Sequence, residues 1–192
     1  MPNPPSRRPT APPTSLVGQR VVLEPHRLDR APAMFALVEA DRDRLGAWLP
    51  WVESTLTVAD ERSYIRHTQE TWKDGSLYDF GILRGGDHMY CGNVGVHHLR
   101  WAHGCCELGY WIGGAFEGQG YVTEAVMLVE QAMFDAGMHR IEIRCDPRNL
   151  RSVAVAERLG YTLEGTLRDQ LWRDGGWRDT MVFAKLAAES TT

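Results

Sequence analysis

Apolar positions alternate with polar ones in some stretches and recur every three or four residues in others, so strands and helices can be read in order. Residues 18–25 set Val21 and Leu23 against Val22 and Glu24, a first strand. Residues 28–49 change to the helical period, with Met34, Leu37, Val38 and Leu45 on one side. Pro32 suits a helix start and Gly46 a helix end, so this stretch reads as one helix or two. Residues 58–73 form the next helix, capped by Thr57 or Asp60 and stopped at Asp74-Gly75. Tyr64, Ile65, Thr68 and Trp72 share its buried face. Strands at 78–83 and 89–99 join across Gly85-Gly86-Asp87, a hairpin signal. Later come a strand at 139–146, a helix at 149–159 ended by Gly160, and strands at 161–167 and 177–186 joined through Asp174-Gly175-Gly176. Strands and helices thus alternate as a mixed α/β sandwich, in one domain over 15–187 and without internal repeats.

The chain is organised around residues 105–136. The run from Glu107 to Ile112 alternates as a strand, and Gly113-Gly114 ends it. Glu117-Gly118-Gln119-Gly120-Tyr121-Val122 follows as a glycine-rich loop. Thr123-Glu124 then opens a helix with Ala125, Leu128, Val129, Ala132 and Ala136 on its apolar face. Glycines before a helix let the backbone approach a ligand, and the free N–H groups of the first turn favour an anion such as phosphate. The same pattern also serves as an ordinary tight turn. It is neither a P-loop, for want of Gly-Lys-Ser/Thr, nor a dinucleotide fingerprint, for want of the third glycine.

Composition narrows the classes. With 192 residues, 43% hydrophobic content, 24% charged content and a net charge of −4, the chain fits a soluble globular domain. No apolar run reaches membrane-spanning length and no leader pattern opens the chain, so the cytoplasm is expected, without a membrane partner. The acidic balance argues against broad nucleic-acid binding. Cys91, Cys105, Cys106 and Cys145 match no zinc spacing, so no metal site is expected, and Cys145 follows the apolar phase of its strand. The proline-rich stretch 1–14 reads as an extended or disordered tail, and 188–192 as a frayed end.

Further on stand Arg140-Ile-Glu-Ile-Arg-Cys-Asp146, Asn149-Leu-Arg-Ser152 and Leu159-Gly160-Tyr161. Taken together, LGYWI, GQGYVTEAV and HRIEIRCDPRNLRSVAVAERLGYTLEGTLRD resemble the GCN5-related N-acetyltransferase (GNAT) superfamily, and within it the RimJ/RimL-type branch that acetylates ribosomal-protein N-termini. The motifs span residues 92–186. The resemblance implies the acyl-CoA N-acyltransferase fold, a mixed and mostly antiparallel sheet flanked by helices, with acetyl-CoA as cofactor. The family loop is usually Gln/Arg-x-x-Gly-x-Gly/Ala; this chain keeps Gly120 but carries Glu117 first and Val122 last. Glu117 is unfavourable beside a pyrophosphate unless it points away.

The resemblance also assigns roles. Backbone N–H groups of Gly118, Gln119, Gly120, Tyr121, Val122 and Thr123 would hold the pyrophosphate, with Thr123 also eligible as a helix cap. Tyr110, Trp111 and Ile112 would pair with the pantetheine chain where the family splits its sheet. Asn149 would hold the pantetheine by a side-chain hydrogen bond. Ser152 would donate to the departing sulfur in place of the superfamily's tyrosine, whose position holds Ala156; helix capping is the alternative reading of both Asn149 and Ser152. Glu107 would be the base, against the alternative of a solvated glutamate or a partner to an arginine such as Arg100. Trp48 and Trp51 read either as core or as a substrate-pocket wall, with Asp41, Asp43 and Glu53 near enough to attract an amine. Apart from the resemblance, His97 and His98 read first as structural strand histidines, with substrate handling by one of them as the alternative because His titrates nearest neutral pH. Strict alternation puts adjacent strand residues on opposite faces, so both cannot line one site.

The expected reaction is direct acetyl transfer from acetyl-CoA to an amine in a ternary complex. The leading acceptor is a protein or peptide N-terminus. A small amine (an amino acid, a polyamine or an amino-sugar drug) is the alternative, and a coenzyme A-binding sensor without turnover is the reading from another class. RimL-like relatives often dimerise, so a homodimer is compatible with the resemblance.

Overall fold

The computed structural model describes residues 10–190. Strand β1 (Leu16–Val17) turns into β2 (Val21–Pro25), which leads into helices α1 (Ala31–Ala40), α2 (Arg42–Gly46) and α3 (Val58–Asp74). Then come β3 (Tyr78–Arg84), β4 (Tyr90–Arg100), β5 (Cys105–Ile112), α4 (Tyr121–Asp135), β6 (Arg140–Cys145), α5 (Leu150–Arg158), β7 (Thr162–Arg173) and β8 (Gly176–Leu186). The strands form one sheet in the order β1-β2-β3-β4-β5-β6-β8-β7. All neighbours run antiparallel except β5 and β6, which are parallel. This is the mixed, mostly antiparallel sheet flanked by helices that the sequence implies.

Alternation sorts the sheet's side chains into two apolar clusters. Leu23, Phe80, Ile82, Val94 and Leu108 pack with Val126, Val129 and Met133 of α4 in the larger one. Met34, Val38, Leu45 and Ile65 from the first three helices gather around Leu83, Tyr90 and Trp111 in the smaller. Leu108 and Trp111 have opposite parity on β5 and so enter different clusters.

The parallel ladder between β5 and β6 is what shapes the site. It runs from Cys105↔Arg140 to Leu108↔Ile143 and stops there. Residues 109–112 keep their pairing with β4 but have no neighbour on the other edge. The sheet is therefore split beside the last four residues of β5.

Several boundaries differ from the sequence reading. Helix α4 begins at Tyr121, two residues before Thr123, because Gly120 takes a left-handed conformation (φ +78°) and acts as the N-cap. Thr123 is thus not the cap. Residues 28–49 are two helices, broken at Asp41. Strand β7 reaches Arg173, well past residue 167, since Asp174 and Gly175 both have positive φ and close a tight turn matched to the strand twist. Both faces of β7 are exposed, which erases the alternation that would have revealed its length. Thr57 caps α3 through a reciprocal pair with Asp60, so both cap candidates take part.

The proline-rich stretch 1–14 lies mostly outside the described residues; over 10–14 there is neither helix nor strand. At the other end Ala187–Glu189 forms a 3-10 turn, and the Glu189 carboxylate accepts the Leu186 N–H at 2.9 Å. The rest of the expected fraying falls on residues 191 and 192, outside the described residues.

Candidate active site

A cleft of about 1490 Å³ opens along the split. Its walls are the free end of β5, the loop before α4, the first turns of α4 and α5, and the β1–β2 turn. Gly118 (φ +72°) and Gly120 (φ +78°) both need the left-handed region that only glycine enters freely. Helix α4 has no side-chain cap. The N–H groups of Tyr121, Val122 and Thr123 therefore face the cleft without helical partners, at the positive end of the dipole. The Tyr121 and Val122 side chains turn into the core, so these residues can offer a ligand only their backbone. Gln119 ties its side chain to the Ala115 carbonyl at 3.1 Å.

The charge balance of this loop was not visible locally. Glu117 is held by Arg44 at 2.7 Å and by Arg151 at 2.8 Å. Arg44 also donates to the Asp41 carboxylate at 2.8 Å and to the Ile112 carbonyl at 2.8 Å, which pins α2 to the end of β5. Asp41 in turn accepts the Gly114 N–H. Glu124, in the first turn of α4, is taken up by the backbone N–H groups of Gln19 and Arg20. A side chain at Gly18 would strike that carboxylate, so the close approach requires glycine there. Arg20 and Arg151 line the cleft, as does Arg158, which donates to the Thr123 hydroxyl at 3.1 Å. Among the described residues the Arg20 guanidinium has no ion-pair partner. Two left-handed glycines, an uncapped helix start and an arginine rim suit a diphosphate, and the free β5 edge suits an amide-bearing chain.

Across the split, Tyr110 of β5 meets α5. Its hydroxyl is 3.0 Å from Ser152 Oγ and 3.2 Å from the Ser152 carbonyl oxygen. Burial pushes the Tyr110 phenol well above its ordinary value, and the Ser152 hydrogen bond pulls it partly back. Burial likewise raises the Cys145 thiol, with Ser152 as the opposing influence. Asn149 Oδ1 accepts the Ser152 backbone N–H at 3.2 Å, so Asn149 is the helix cap and keeps its amide group free to donate. Ala156 lies fully buried in the core and brings no hydroxyl to the cleft.

Glu107 sits elsewhere. It has the opposite parity to Tyr110 on β5 and lines a separate pocket of about 260 Å³ with His98, Arg100, Cys106, Glu142 and Arg144. His98 Nδ1 is 2.9 Å from its carboxylate and the Arg144 guanidinium 3.7 Å. The arginine expected beside it, Arg100, instead pairs with Glu142 at 3.7 Å. Burial pushes Glu142 up, but Arg144 and Arg140 outweigh it and hold that carboxylate below its ordinary range. Strict alternation fails at the histidines. His98 has φ +49° at a bulge in the β4–β5 ladder, and this turns it toward Glu107, the register partner of His97. Only His98 thus reaches the Glu107 carboxylate; His97, its register partner, turns its ring over Gly95 and Gly109, where any side chain would collide with it.

The two tryptophans divide between the two readings. Trp48 lines the cleft. Trp51 packs on Trp111 at 5.8 Å within the smaller apolar cluster, and Trp111 is only 8% exposed, so its contribution to the cleft is backbone. The sequence reading missed Arg20, Arg44, Arg151 and Arg158. Arg151, inside the Asn-x-x-Ser segment, and Arg158, just before Leu159-Gly160-Tyr161, lay within the motifs; Arg20 and Arg44 did not, and Arg44 reaches Glu117 from 73 residues away.

Comparison with known proteins agrees with this geometry. The model of the acetyltransferase (GNAT) domain matches residues 20–162. The "Probable N-acetyltransferase YjcK" of Bacillus subtilis (strain 168) is 32% identical over 174 residues, covering 89% of this chain and 96% of that protein. The uS5-alanine N-acetyltransferase of Escherichia coli (strain K12) is 33% identical over 117 residues, 60% of each chain. Among solved structures, Mycobacterium smegmatis RimJ in complex with CoA-disulfide superposes with a TM-score of 0.83 at 27% identity, covering 91% of this chain and 88% of that one. The microcin C7 self-immunity acetyltransferase MccE, in complex with acetyl-CoA and AMP, gives 0.83 at 25% identity over 88% and 93%.

Proposed function

Because the chain belongs to the acetyltransferase (GNAT) domain family, we propose that it is an acetyl-CoA-dependent N-acetyltransferase whose acceptor is the N-terminal amine of a protein, a ribosomal protein first among the candidates. The observation that carries the reading is the split between β5 and β6, opening onto an uncapped, glycine-preceded helix. Bound acetyl-CoA supplies an acetyl thioester. Backbone N–H groups of 118–123 hold its diphosphate, and the rim arginines add charge. The free edge of Tyr110, Trp111 and Ile112 pairs with the pantetheine amides, and the Asn149 amide group donates to the same chain.

Glu107 and Ser152 act from opposite faces of β5, so acceptor and cofactor approach the strand from opposite sides. That arrangement suits direct attack within a ternary complex. Glu107 takes the amine's proton, directly or through water, while His98 and Arg144 fix the carboxylate's position. Ser152 donates a hydrogen bond to the sulfur as charge develops there. Trp48 lines the cofactor cleft and so belongs to the wall around acetyl-CoA, not to the Glu107 side. A ribosomal acceptor would place the enzyme in the cytoplasm; among the described residues no helix is long and apolar enough to cross a membrane.

The test is thiol release from acetyl-CoA against a panel of amines. Peptides and ribosomal proteins with free N-termini are expected to support it, and the same peptides with blocked α-amines are not. Release with polyamines, amino acids or amino sugars alone would replace the protein acceptor with a small one. Tight coenzyme A binding without release from any amine would leave a sensor.

A further inference from the structure

Two hydroxyls meet across the split, one on each wall. Tyr110 reaches from the unpaired half of β5 and Ser152 from the first turn of α5, with 3.0 Å between their oxygens. The Ser152 hydroxyl has no capping duty, since the Asn149 side chain takes the Ser152 backbone N–H instead. The phenol also lies 3.2 Å from the Ser152 carbonyl, the longer of its two contacts, and either hydroxyl can donate within the pair. Helix α5 does not depend on that contact, since it closes its own ladder and is capped by Asn149. The residue one turn along that helix face, Ala156, carries no polar group.

We infer that Tyr110 is a positioning residue for thiolate departure: its O–H donates to Ser152 Oγ and so turns the Ser152 O–H toward the sulfur of bound coenzyme A. The inference rests on the acetyl-transfer reading and adds to it a residue whose backbone alone had a role. A serine hydroxyl by itself rotates freely and shares its donor among several acceptors. Anchored by the phenol, it is left to point away from Tyr110, into the cleft or toward the neighbouring Cys145 thiol, and the sulfur of bound coenzyme A is the acceptor on the cleft side. Two hydroxyls in series also polarise each other, which strengthens the outer donor. Burial raises the phenol's pKa well above its ordinary value, so it stays protonated and keeps donating.

The step balances without proton transfer along the pair. The amine nitrogen forms its bond to the acetyl carbon and loses one proton to Glu107. The carbon–sulfur bond breaks with both electrons on sulfur, and Ser152 donates a hydrogen bond to that thiolate. The thiolate takes a proton from water after release, and no hydroxyl of the pair is left ionised.

Two measurements on the full chain test this. The first titrates the thiol of bound coenzyme A by its ultraviolet thiolate absorbance, which needs no acceptor. In the wild-type complex the thiol should titrate below that of free coenzyme A. In Tyr110→Phe and in Ser152→Ala it should move up by about one pH unit, the size of one lost hydrogen bond to a charged group. The second is a double-mutant cycle on kcat with a peptide acceptor. Tyr110→Phe should lower kcat by about 10-fold with little change in KM for acetyl-CoA, and the double variant should be no slower than Ser152→Ala alone.

A bound thiol that titrates like free coenzyme A, or a Tyr110→Phe enzyme with wild-type titration, overturns the inference. So do strictly additive losses, which would mean that the hydroxyls act apart. Failure of the wider reading looks different. A wild-type protein that lowers the thiol's titration but acetylates no amine keeps the hydroxyl pair and loses the transferase.

Discussion

At the scale of single residues, two positions carry costs that measurement can read. Gly120 holds φ +78°, and a β-carbon there would lie 2.6 Å from Arg20 Nη1. Gly120→Leu should weaken coenzyme A binding by at least about 10-fold in calorimetry, since it blocks the backbone's approach and strains the turn. Unchanged affinity would remove this loop from the cofactor site. Glu61 is 2% exposed, its Oε1 has no partner, and burial lifts its carboxyl from an ordinary 4.5 to about 7. A carboxyl raised in the folded state favours folding while protonated, so its contribution is full below pH 4.5 and is lost as pH rises through about 7. Glu61→Gln should therefore match wild type in urea melts at pH 4 and exceed it by roughly 3 kcal/mol at pH 8. A constant difference between the two proteins at both pH values would contradict this. Glu117 teaches a different lesson. Read alone it is a carboxylate spoiling a phosphate loop, but Arg44 and Arg151 neutralise it from elements that local sequence cannot bring near.

At the scale of elements, the site depends on where β5 stops pairing with β6. The strand, the glycine loop and the helix were all legible, because alternation, glycine placement and the helical period are local signals. Where the parallel ladder ends was not legible from periodicity, and came only through the resemblance, because backbone donors carry no residue identity. The bulge that turns His98 toward Glu107 was hidden for the same reason: a positive φ at a histidine leaves no mark on an alternating pattern. The length of β7 was masked by its exposure on both faces. Helix α5 gives a prediction at this scale. Ser152 was readable either as a cap or as a donor, and the bond from its backbone N–H to Asn149 separates the two. Ser152→Ala should keep the melting temperature within about 2 °C while kcat falls about 10-fold. Asn149→Ala should lower stability by about 1 kcal/mol. A Ser152→Ala protein that melts early but turns over normally would return the hydroxyl to a capping role.

At the scale of the whole molecule, the sheet is a partition with the cofactor cleft on one side of β5 and the Glu107 pocket on the other. If Glu107 is the base, Glu107→Gln should lose about 10²–10⁴-fold in rate, with the deficit shrinking as pH rises and more amine is already neutral. Coenzyme A affinity should not change, because the carboxylate does not line the cofactor cleft. Wild-type rates with the same pH dependence would hand the proton to His97, His98 or water. The central claim is that the split sheet seats acetyl-CoA, and hydrogen exchange followed along the chain with and without coenzyme A tests it most directly. The account predicts new protection at the amides of 109–112, on the free edge of β5, and at 118–123, with little change in the β7–β8 hairpin. Protection confined to that hairpin, or none at 109–112 under saturating coenzyme A, would contradict it.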